Sequence, residues 1–245
     1  MLIEICCGSL EDALAAEEGG ADRIELNSAL FLGGLTPSLG TLVEVKRQTK
    51  FPVLAMIRPR VGGFDYSEAE FAVMRTDARF AVEQGADGLV FGCLHSDGTL
   101  HRERTAELVS LAQGRPTVFH RAFDVVPDPF ATLEQLIDLG ITRILTSGQE
   151  ESAYNGAGLI RGLIEAARGR IEILPGGGID PFNVCDVIER TGTTQIHLAL
   201  FHSRRDRSCE ARSQVYFGGQ LRPAEDRIDT IDAGGVNGIR KICLK

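Results

Sequence analysis

Four times along this chain a helical run ends at a glycine and is followed at once by a short apolar strand. The four copies of this repeat lie at residues 17–26, 82–91, 136–145 and 188–198. Four further strand-like segments complete the series, at residues 2–7, 50–58, 114–121 and 169–178. Eight strands that alternate with helical sequence predict a closed, parallel, eight-stranded sheet with outer helices, the (β/α)8 or TIM barrel. Such a barrel places its functional groups in the loops after the strands.

Length and patterning predict a single domain. The chain has 245 residues, a typical size for one barrel, and no linker rich in Ser, Gly or Pro divides it. One stretch departs from the repeat, because residues 202–223 are too polar for a core element and too long for an ordinary connection. We therefore predict one domain over residues 1–245, with a polar excursion at 202–223 before a closing helix at 224–245.

Composition argues against two classes of partner. Twenty-six Lys and Arg against 34 Asp and Glu give a formal charge of −8, which repels nucleic acid. No apolar run is long enough to cross a membrane, and the N-terminus enters a strand without a signal-like segment. The six cysteines lack paired metal-type spacing and are typical of reduced thiols. A soluble cytoplasmic protein is expected.

Polar side chains stand at the ends of several predicted strands. Side chains two apart share a face of a strand, and in a barrel the last positions point into the mouth, where convergent polar groups indicate a site. The candidates are Glu4, Glu25, Asn27, Arg58, Arg60, His120, Arg121, Asp124 and His197. Removing one partner of a buried ion pair costs about 3–5 kcal/mol, so we expect Glu4, Glu25 and Arg58 to satisfy one another. The alternative is that this network only stabilises the barrel interior.

Three glycines after the seventh strand give a second signal. The backbone N–H groups of Gly176, Gly177 and Gly178 could hold an anion, as in the phosphate sites of many barrels, and Ser147 after the sixth strand could add a donor. A tight turn that needs positive φ accounts for the same glycines equally well.

An anion site would suit an enzyme of the lyase or isomerase class that acts on a small anionic or phosphorylated metabolite. In this hypothesis the acid and base groups are Glu25, His120 and Asp124. The remaining strand-end residues bind substrate together with the glycine loop and Ser147, namely Glu4, Asn27, Arg58, Arg60 and Arg121. No organic cofactor is indicated by these residues.

A metal site is the other interpretation of the strand ends. Cys6 and Cys7 are adjacent, so they point to opposite faces and cannot easily bind one ion together. If Glu4 points inward, Cys6 does too, which leaves Cys7 to pack outward or to begin the turn. The candidate ligands are Cys6, Cys7 and His197, although a single buried thiol or histidine is more often a core residue.

The segments LIEICC, GADRIEL, GGLTPS, IRPR, FHRAFD, LTSGQ and PGGGI occur in this order between residue 2 and about residue 200. In these motifs the chain resembles the CutC family, a group of cytoplasmic (β/α)8 proteins named for a role in copper homeostasis. The resemblance implies the barrel, a homo-oligomer, and a strand-end cavity with Glu4, Glu25, Arg58, His120, Arg121 and Asp124. It also implies copper as a partner, held by a Cys at the end of each of the first two strands. Cys6 fills the first place, whereas Asn27 stands in the second.

The sequence leaves three functions open. The resemblance favours a cytosolic copper-homeostasis protein with Cys6 as its main ligand for the copper ion. The strand-end residues favour an enzyme for a small anionic molecule. In the third alternative the strand-end cluster contributes stability only, and residues 202–223 serve an interface between subunits.

Overall fold

Eight short parallel strands form the centre of the computed structural model, which describes residues 1–218 and 225–243. Their bounds are β1 Leu2–Cys7, β2 Arg23–Leu26, β3 Val53–Met56, β4 Gly88–Phe91, β5 Thr117–Phe119, β6 Arg143–Thr146, β7 Glu172–Pro175 and β8 Gln195–Leu198. Strands β1 to β7 pair in chain order, and β8 returns to pair with β1. A single parallel bridge between Gly176 and His197 joins β7 to β8. The predicted (β/α)8 barrel is therefore confirmed.

Helices follow the strands and cover the outside of the sheet. Seven of them connect consecutive strands: α1 Leu10–Gly19, α2 Leu39–Gln48, α3 Glu68–Glu83, α4 Arg102–Leu111, α5 Pro129–Asp138, α6 Ala157–Ala167 and α7 Val184–Thr191. Local sequence fixes several of their starts, since Ser67 and Glu70 form a capping box at α3 and Asp128 caps α5 ahead of Pro129. No helix in the described ranges is both long and apolar enough to cross a bilayer.

The barrel interior has an apolar and a polar half. On the β3 to β7 side, alternate strand residues form a compact buried cluster of Leu54, Met56, Val90, Val118, Leu145 and Leu174. On the side of β1, β2 and β8 the inward positions carry buried polar groups instead, among them Glu4, Arg23, Glu25, Gln195 and His197. Layers of branched apolar residues usually fill such barrels, so the polar half marks the region that needs a separate explanation.

The chain after β8 differs from the prediction. Residues Phe201–Arg205 form β9, which pairs antiparallel with β10 (Arg227–Ile231), and the closing helix α8 occupies only Ala233–Cys243. The predicted helix from residue 224 is therefore wrong over β10, because RIDTI is rich in β-branched residues and its last amide, Ile231 N–H, donates to Asp12 Oδ1 at 2.9 Å. Residues 219–224, which include the end of the predicted excursion, and residues 244–245 lie outside the described ranges.

Candidate functional site

A cavity of about 510 Å³ opens at the carboxyl ends of the strands. Its wall includes polar side chains from or just after β1, β2, β3, β5 and β8, namely Cys6, Glu25, Asn27, Arg58, His120 and His197. Apolar side chains complete the wall, among them Leu30, Met56, Phe64 and Leu145. The cavity thus lies where a barrel fold places its functional groups, and it joins most of the predicted site residues.

Strand register brings Cys6, Glu25 and His197 together. Cys6 lies beside Glu25 across β1 and β2, while Glu4, two residues before Cys6 on the same face, lies beside His197 of β8. One potential ligand atom from each of Cys6, Glu25 and His197 lies within 4.8 Å of the others. All three residues line the cavity. We call these three residues the mouth cluster.

Below the mouth cluster, Glu4 is the centre of a charge-compensated layer. Its carboxylate forms an ion pair with Arg23, accepts a hydrogen bond from His197 Nδ1–H at 2.8 Å, and lies 3.9 Å from Arg143. Burial alone would raise the pKa of Glu4, but the His197 hydrogen bond and the Arg23 charge lower it to about 2. Arg23 also donates to Gln195 Oε1 at 2.7 Å. We call Glu4, Arg23, Arg143 and Gln195 the lower layer.

His197 connects the lower layer to the mouth cluster. Burial lowers the pKa of His197, but the hydrogen bond to Glu4 and the charge of Glu25 outweigh burial and raise it. Because Nδ1 faces Glu4, Nε2 is the ring nitrogen left for a partner in the cavity. A carboxylate that holds one nitrogen of an imidazole is the arrangement that orients metal-binding histidines.

Glu25 is buried, and no cation of the described residues forms a salt bridge with it. Its Oε1 accepts from Asn27 Nδ2 at 2.9 Å and lies 3.8 Å from the Cys6 sulfur, whereas its Oε2 has no hydrogen-bond partner among the described residues. Burial, with the nearby negative charge of Glu4, raises the pKa of Glu25. The same burial, with the negative charge of Glu25, raises the pKa of Cys6 well above the usual thiol range. Without a cation, the mouth cluster therefore favours protonated groups.

Asn27 and Cys7 occupy different sides of this region. Asn27 Nδ2 lies 3.4 Å from the Cys6 sulfur, so an amide contacts the thiol where the sequence resemblance implied a second Cys. Cys7 is fully buried in the core between the sheet and the helices, where its thiol lies 3.8 Å from the carbonyl of Ile5. As a metal candidate Cys7 is wrong, because strand alternation turns its side chain away from the cavity.

The expected pairing of Arg58 with a carboxylate is also wrong. Arg58 is 7% exposed, and its terminal nitrogens donate to the carbonyls of Gly34 and Gly62 at 2.9 Å and of Gly33 at 3.2 Å. The physical reason is position along the strand, since β3 ends at Met56 and Arg58 lies in the layer of the loops. Its Nε has no partner among the described residues, although Arg58 lines the cavity.

Four other predicted residues have partners outside the mouth cluster. Arg60 does not line the cavity, because its guanidinium binds Glu70 at 2.5 Å. Arg121 lines the rim and donates to Asp124 at 2.7 Å and to Ser147 Oγ at 2.8 Å. Asp124 also accepts the Ser147 backbone N–H at 3.0 Å, so both of its oxygens are used to hold the loop after β6. Ser147 itself is fully buried and does not line the cavity.

The glycine loop after β7 is a tight turn at the wall of the cavity. Gly177 and Gly178 have φ values of 101° and 65°, as a tight turn requires, and both line the cavity. Gly176 does not reach the cavity, and a Cβ there would lie 2.6 Å from Leu145. Helix α7 does not begin until Val184.

His120 presents a neutral ring to the cavity. Burial, reinforced by the charge of Arg58, lowers its pKa to about 3. Its Nδ1 accepts the N–H of Ala122 at 3.1 Å, which leaves the proton on Nε2, and Nε2 has no partner among the described residues. Gly92 makes room for this ring, since a Cβ at residue 92 would lie 2.6 Å from His120.

Sequence reasoning missed most of the lower layer. Arg23, Arg143 and Gln195 stand at the first positions of their strands, and only strand ends were considered. The alternation rule could have found two of them, because Arg23 lies two residues before Glu25 and Gln195 two residues before His197. Phe64, whose ring lies 5.0 Å from that of His120, belongs to a loop and gave no such signal.

The fold and this site define a (β/α)8-barrel protein with a buried polar cluster in the mouth of the barrel. A family model gives a more specific assignment, because the model of the CutC family matches residues 1–201. The chain therefore belongs to the CutC family.

Individual relatives agree with this assignment. A family protein CutC of Treponema denticola is 53% identical over 240 residues, which cover 98% of this chain and 96% of the relative. The human "Copper homeostasis protein cutC homolog" is 46% identical and covers 98% of this chain and 88% of the relative. A solved structure from Streptococcus agalactiae, described as that of a candidate copper homeostasis protein CutC, is 38% identical with a TM-score of 0.77. It covers 80% of this chain and 97% of its own.

Proposed function

We propose that this protein binds copper as Cu(I) at the mouth cluster and acts in copper homeostasis in the cytoplasm. The observation that carries the proposal is the convergence of Cys6, Glu25 and His197, whose ligand atoms lie within 4.8 Å of one another in the cavity. Family membership and the names of the human and mouse relatives make copper the ion to test first.

The donor set suits a soft ion. Thiolate is a preferred ligand of Cu(I), and imidazole also suits copper. Cys6 would supply the sulfur and His197 would supply Nε2, whose ring Glu4 already orients through Nδ1. Glu25 would add a carboxylate oxygen, and its Oε2 is a buried acceptor without a partner among the described residues. A cation at this point would satisfy that oxygen and favour the ionised thiol.

Copper binding at this cluster would release protons. The raised pKa values of Cys6 and His197 mean that both groups hold protons that must leave before they can bind a metal. Asn27 Nδ2, at 3.4 Å from the sulfur, then remains as a hydrogen-bond donor to the thiolate. In this proposal Asn27 supports the ligand Cys6 and is not a ligand itself, because an amide is a poor partner for Cu(I).

An anaerobic titration against a chromogenic Cu(I) chelator tests the proposal. The wild-type protein should bind one Cu(I) per chain, and Cys6→Ser should abolish this binding. Cys185→Ser is the matched control, since Cys185 is an exposed thiol that does not line the cavity. Equal binding by wild type and Cys6→Ser would contradict the proposal.

A second histidine group requires its own control. The rings of His95 and His101 stack at 4.2 Å between centroids, and with Glu103 they form another group of potential ligands at the surface. The titration should therefore be repeated in a His95→Ala background, where binding at the mouth cluster should be unchanged. Loss of the Cu(I) site in His95→Ala, with retention in Cys6→Ser, would assign the copper to the surface group instead.

The lyase or isomerase alternative has less support from the geometry. Asp124, one of its three proposed acid and base groups, has both carboxylate oxygens occupied by hydrogen bonds. His120 has a pKa of about 3, which makes it a poor base near neutral pH. Glu25 keeps a free oxygen and a raised pKa, so it is the remaining candidate for proton transfer.

A further inference from the structure

We infer that the wall of the mouth cavity between β3 and β5 binds a small organic anion, through Arg58 and His120. This site is separate from the mouth cluster, and the inference does not depend on copper. Its ligand carries a carboxylate or phosphate group and a short carbon skeleton.

Arg58 is a buried cation without a counter-ion. Its side chain is 7% exposed, and no carboxylate of the described residues lies within ion-pair distance of it. The carbonyls of Gly33, Gly34 and Gly62 solvate the guanidinium but carry no net charge. Buried charges in proteins are paired as a rule, and here the Nε–H is also left without an acceptor. An anion in the cavity would supply both the charge and the acceptor.

His120 provides a second donor in a fixed orientation. The Ala122 amide occupies Nδ1 at 3.1 Å, so the proton must sit on Nε2, and that Nε2–H is buried without a partner among the described residues. The residue is 4% exposed and lines the cavity. A buried donor that is left unpaired costs about 1–3 kcal/mol, which a ligand oxygen would recover.

Phe64 shows that the two donors share one corner of the cavity. Its ring lies 5.4 Å from the Arg58 guanidinium carbon and 5.0 Å from the centre of the His120 ring. A ligand oxygen in this corner is therefore close to a positive charge and two N–H donors. A hydrogen bond from the Arg58 guanidinium to an anionic oxygen is charge-assisted and roughly twice as strong as a bond between neutral groups.

The rest of the cavity indicates an organic ligand. Its volume of about 510 Å³ exceeds the space that one anionic group needs, and its wall includes Met56, Val125 and Leu145. On the β2 side, the buried Oδ1 of Asn27 is an acceptor without a partner among the described residues. This arrangement fits a hydroxy acid or a short hydroxylated phosphate ester, with the anionic group at Arg58 and the hydroxyl at Asn27.

Isothermal titration calorimetry on metal-free full-length protein tests the inference. The probes are inorganic phosphate, glycerol phosphate, lactate and malate. We expect saturable binding of at least one organic probe, and the class that binds more tightly identifies the anionic group. Arg58→Met should weaken binding by about 10- to 100-fold, because it removes a charged donor. Arg60→Met is the matched control, since Arg60 binds Glu70 outside the cavity, and it should bind like wild type.

A further variant makes the test decisive. His120→Asn keeps an acceptor for the Ala122 amide but removes the N–H donor from the cavity, so it should weaken binding even if Arg58→Met fails to fold. All of these titrations use metal-free protein, so their outcome does not depend on whether Cu(I) binds at Cys6. The inference is overturned if no probe binds saturably, or if Arg60→Met weakens binding as much as Arg58→Met and His120→Asn do.

Discussion

Glu4 and Glu25 lie on neighbouring strands of one barrel, and both are almost completely buried, yet their surroundings differ. In the lower layer, Glu4 has Arg23 and His197 as partners, and its pKa is lowered to about 2. In the mouth cluster, Glu25 has an amide and a thiol as neighbours, a raised pKa, and one oxygen without a hydrogen-bond partner in the described part of the chain. Protein groups thus neutralise the charge of the glutamate in the lower layer, whereas the glutamate in the mouth cluster has an oxygen available to a bound partner.

This difference suggests that Glu4 contributes to stability and Glu25 to ligand binding. A compensated ion pair holds strands β1, β2 and β8 together but has no capacity left for a ligand. An uncompensated carboxyl weakens the fold and is therefore a more informative marker of a binding site. The comparison predicts that a substitution of Glu4 mainly lowers the free energy of unfolding, whereas a substitution of Glu25 mainly weakens binding.

The largest effect is expected from Glu4→Gln. The variant leaves Arg23 and Arg143 buried without their carboxylate, so the free energy of unfolding should fall by about 3–5 kcal/mol. Glu25→Gln removes a carboxyl that has no cation partner, and it should change the free energy of unfolding by less than about 1 kcal/mol while weakening Cu(I) binding. Equilibrium denaturation in urea measures both values. Equal losses of unfolding free energy in the two variants would show that the two glutamates do not differ in their contribution to stability.

Acid should act on the two layers with opposite sign. The folded-state pKa of Glu4 is about 2, below its ordinary value of 4.5, so its contribution is fully present above pH 4.5 and is lost as the pH falls towards 2. This contribution is about 3 kcal/mol. Glu25 has a raised folded-state pKa, so its contribution is present below pH 4.5 and is lost as the pH rises through that raised value.

Denaturation curves recorded across the acidic range test this difference. Glu4→Gln should have a flatter loss of stability between pH 4.5 and pH 2 than wild type has. Glu25→Gln should lose as much stability as wild type in that interval and should gain relative to wild type at higher pH. A Glu4→Gln profile that is parallel to the wild-type profile would show that Glu4 is not the group that titrates.

The sequence predicted the barrel well and the partners of its polar residues poorly, for physical reasons. Strand positions followed from the glycine-to-strand repeat. Glycine is the residue that most often ends a helix, and the apolar run after it marks a buried strand. Alternation correctly placed Cys6 on the face of Glu4 and Cys7 on the other face. Which side chains meet across strands depends on register, which the sequence of a single strand does not encode.

Arg58 shows the limit most clearly. As a strand-end cation it was expected to meet Glu4 or Glu25, but Arg23 on the neighbouring strand already takes Glu4. The course of the loops around residues 33 and 62, which supplies the actual acceptors of Arg58, depends on glycines with φ of 86° and 89°. The acceptors are backbone carbonyls, which every residue carries, so the loop sequence does not show that they bind a guanidinium.

The smallest expected effect concerns Asn27, whose amide contacts Cys6 of the mouth cluster. Asn27→Cys would exchange an amide donor for a second thiol near Cys6, where the amide nitrogen now lies 3.4 Å from the sulfur. Since Cu(I) prefers thiolate, the affinity for Cu(I) should rise by about tenfold, equivalent to about 1.4 kcal/mol. Competition against a Cu(I) chelator measures the change, with Asn27→Ser as the control for loss of the amide. If Asn27→Cys and Asn27→Ser have the same affinity, copper does not contact this position.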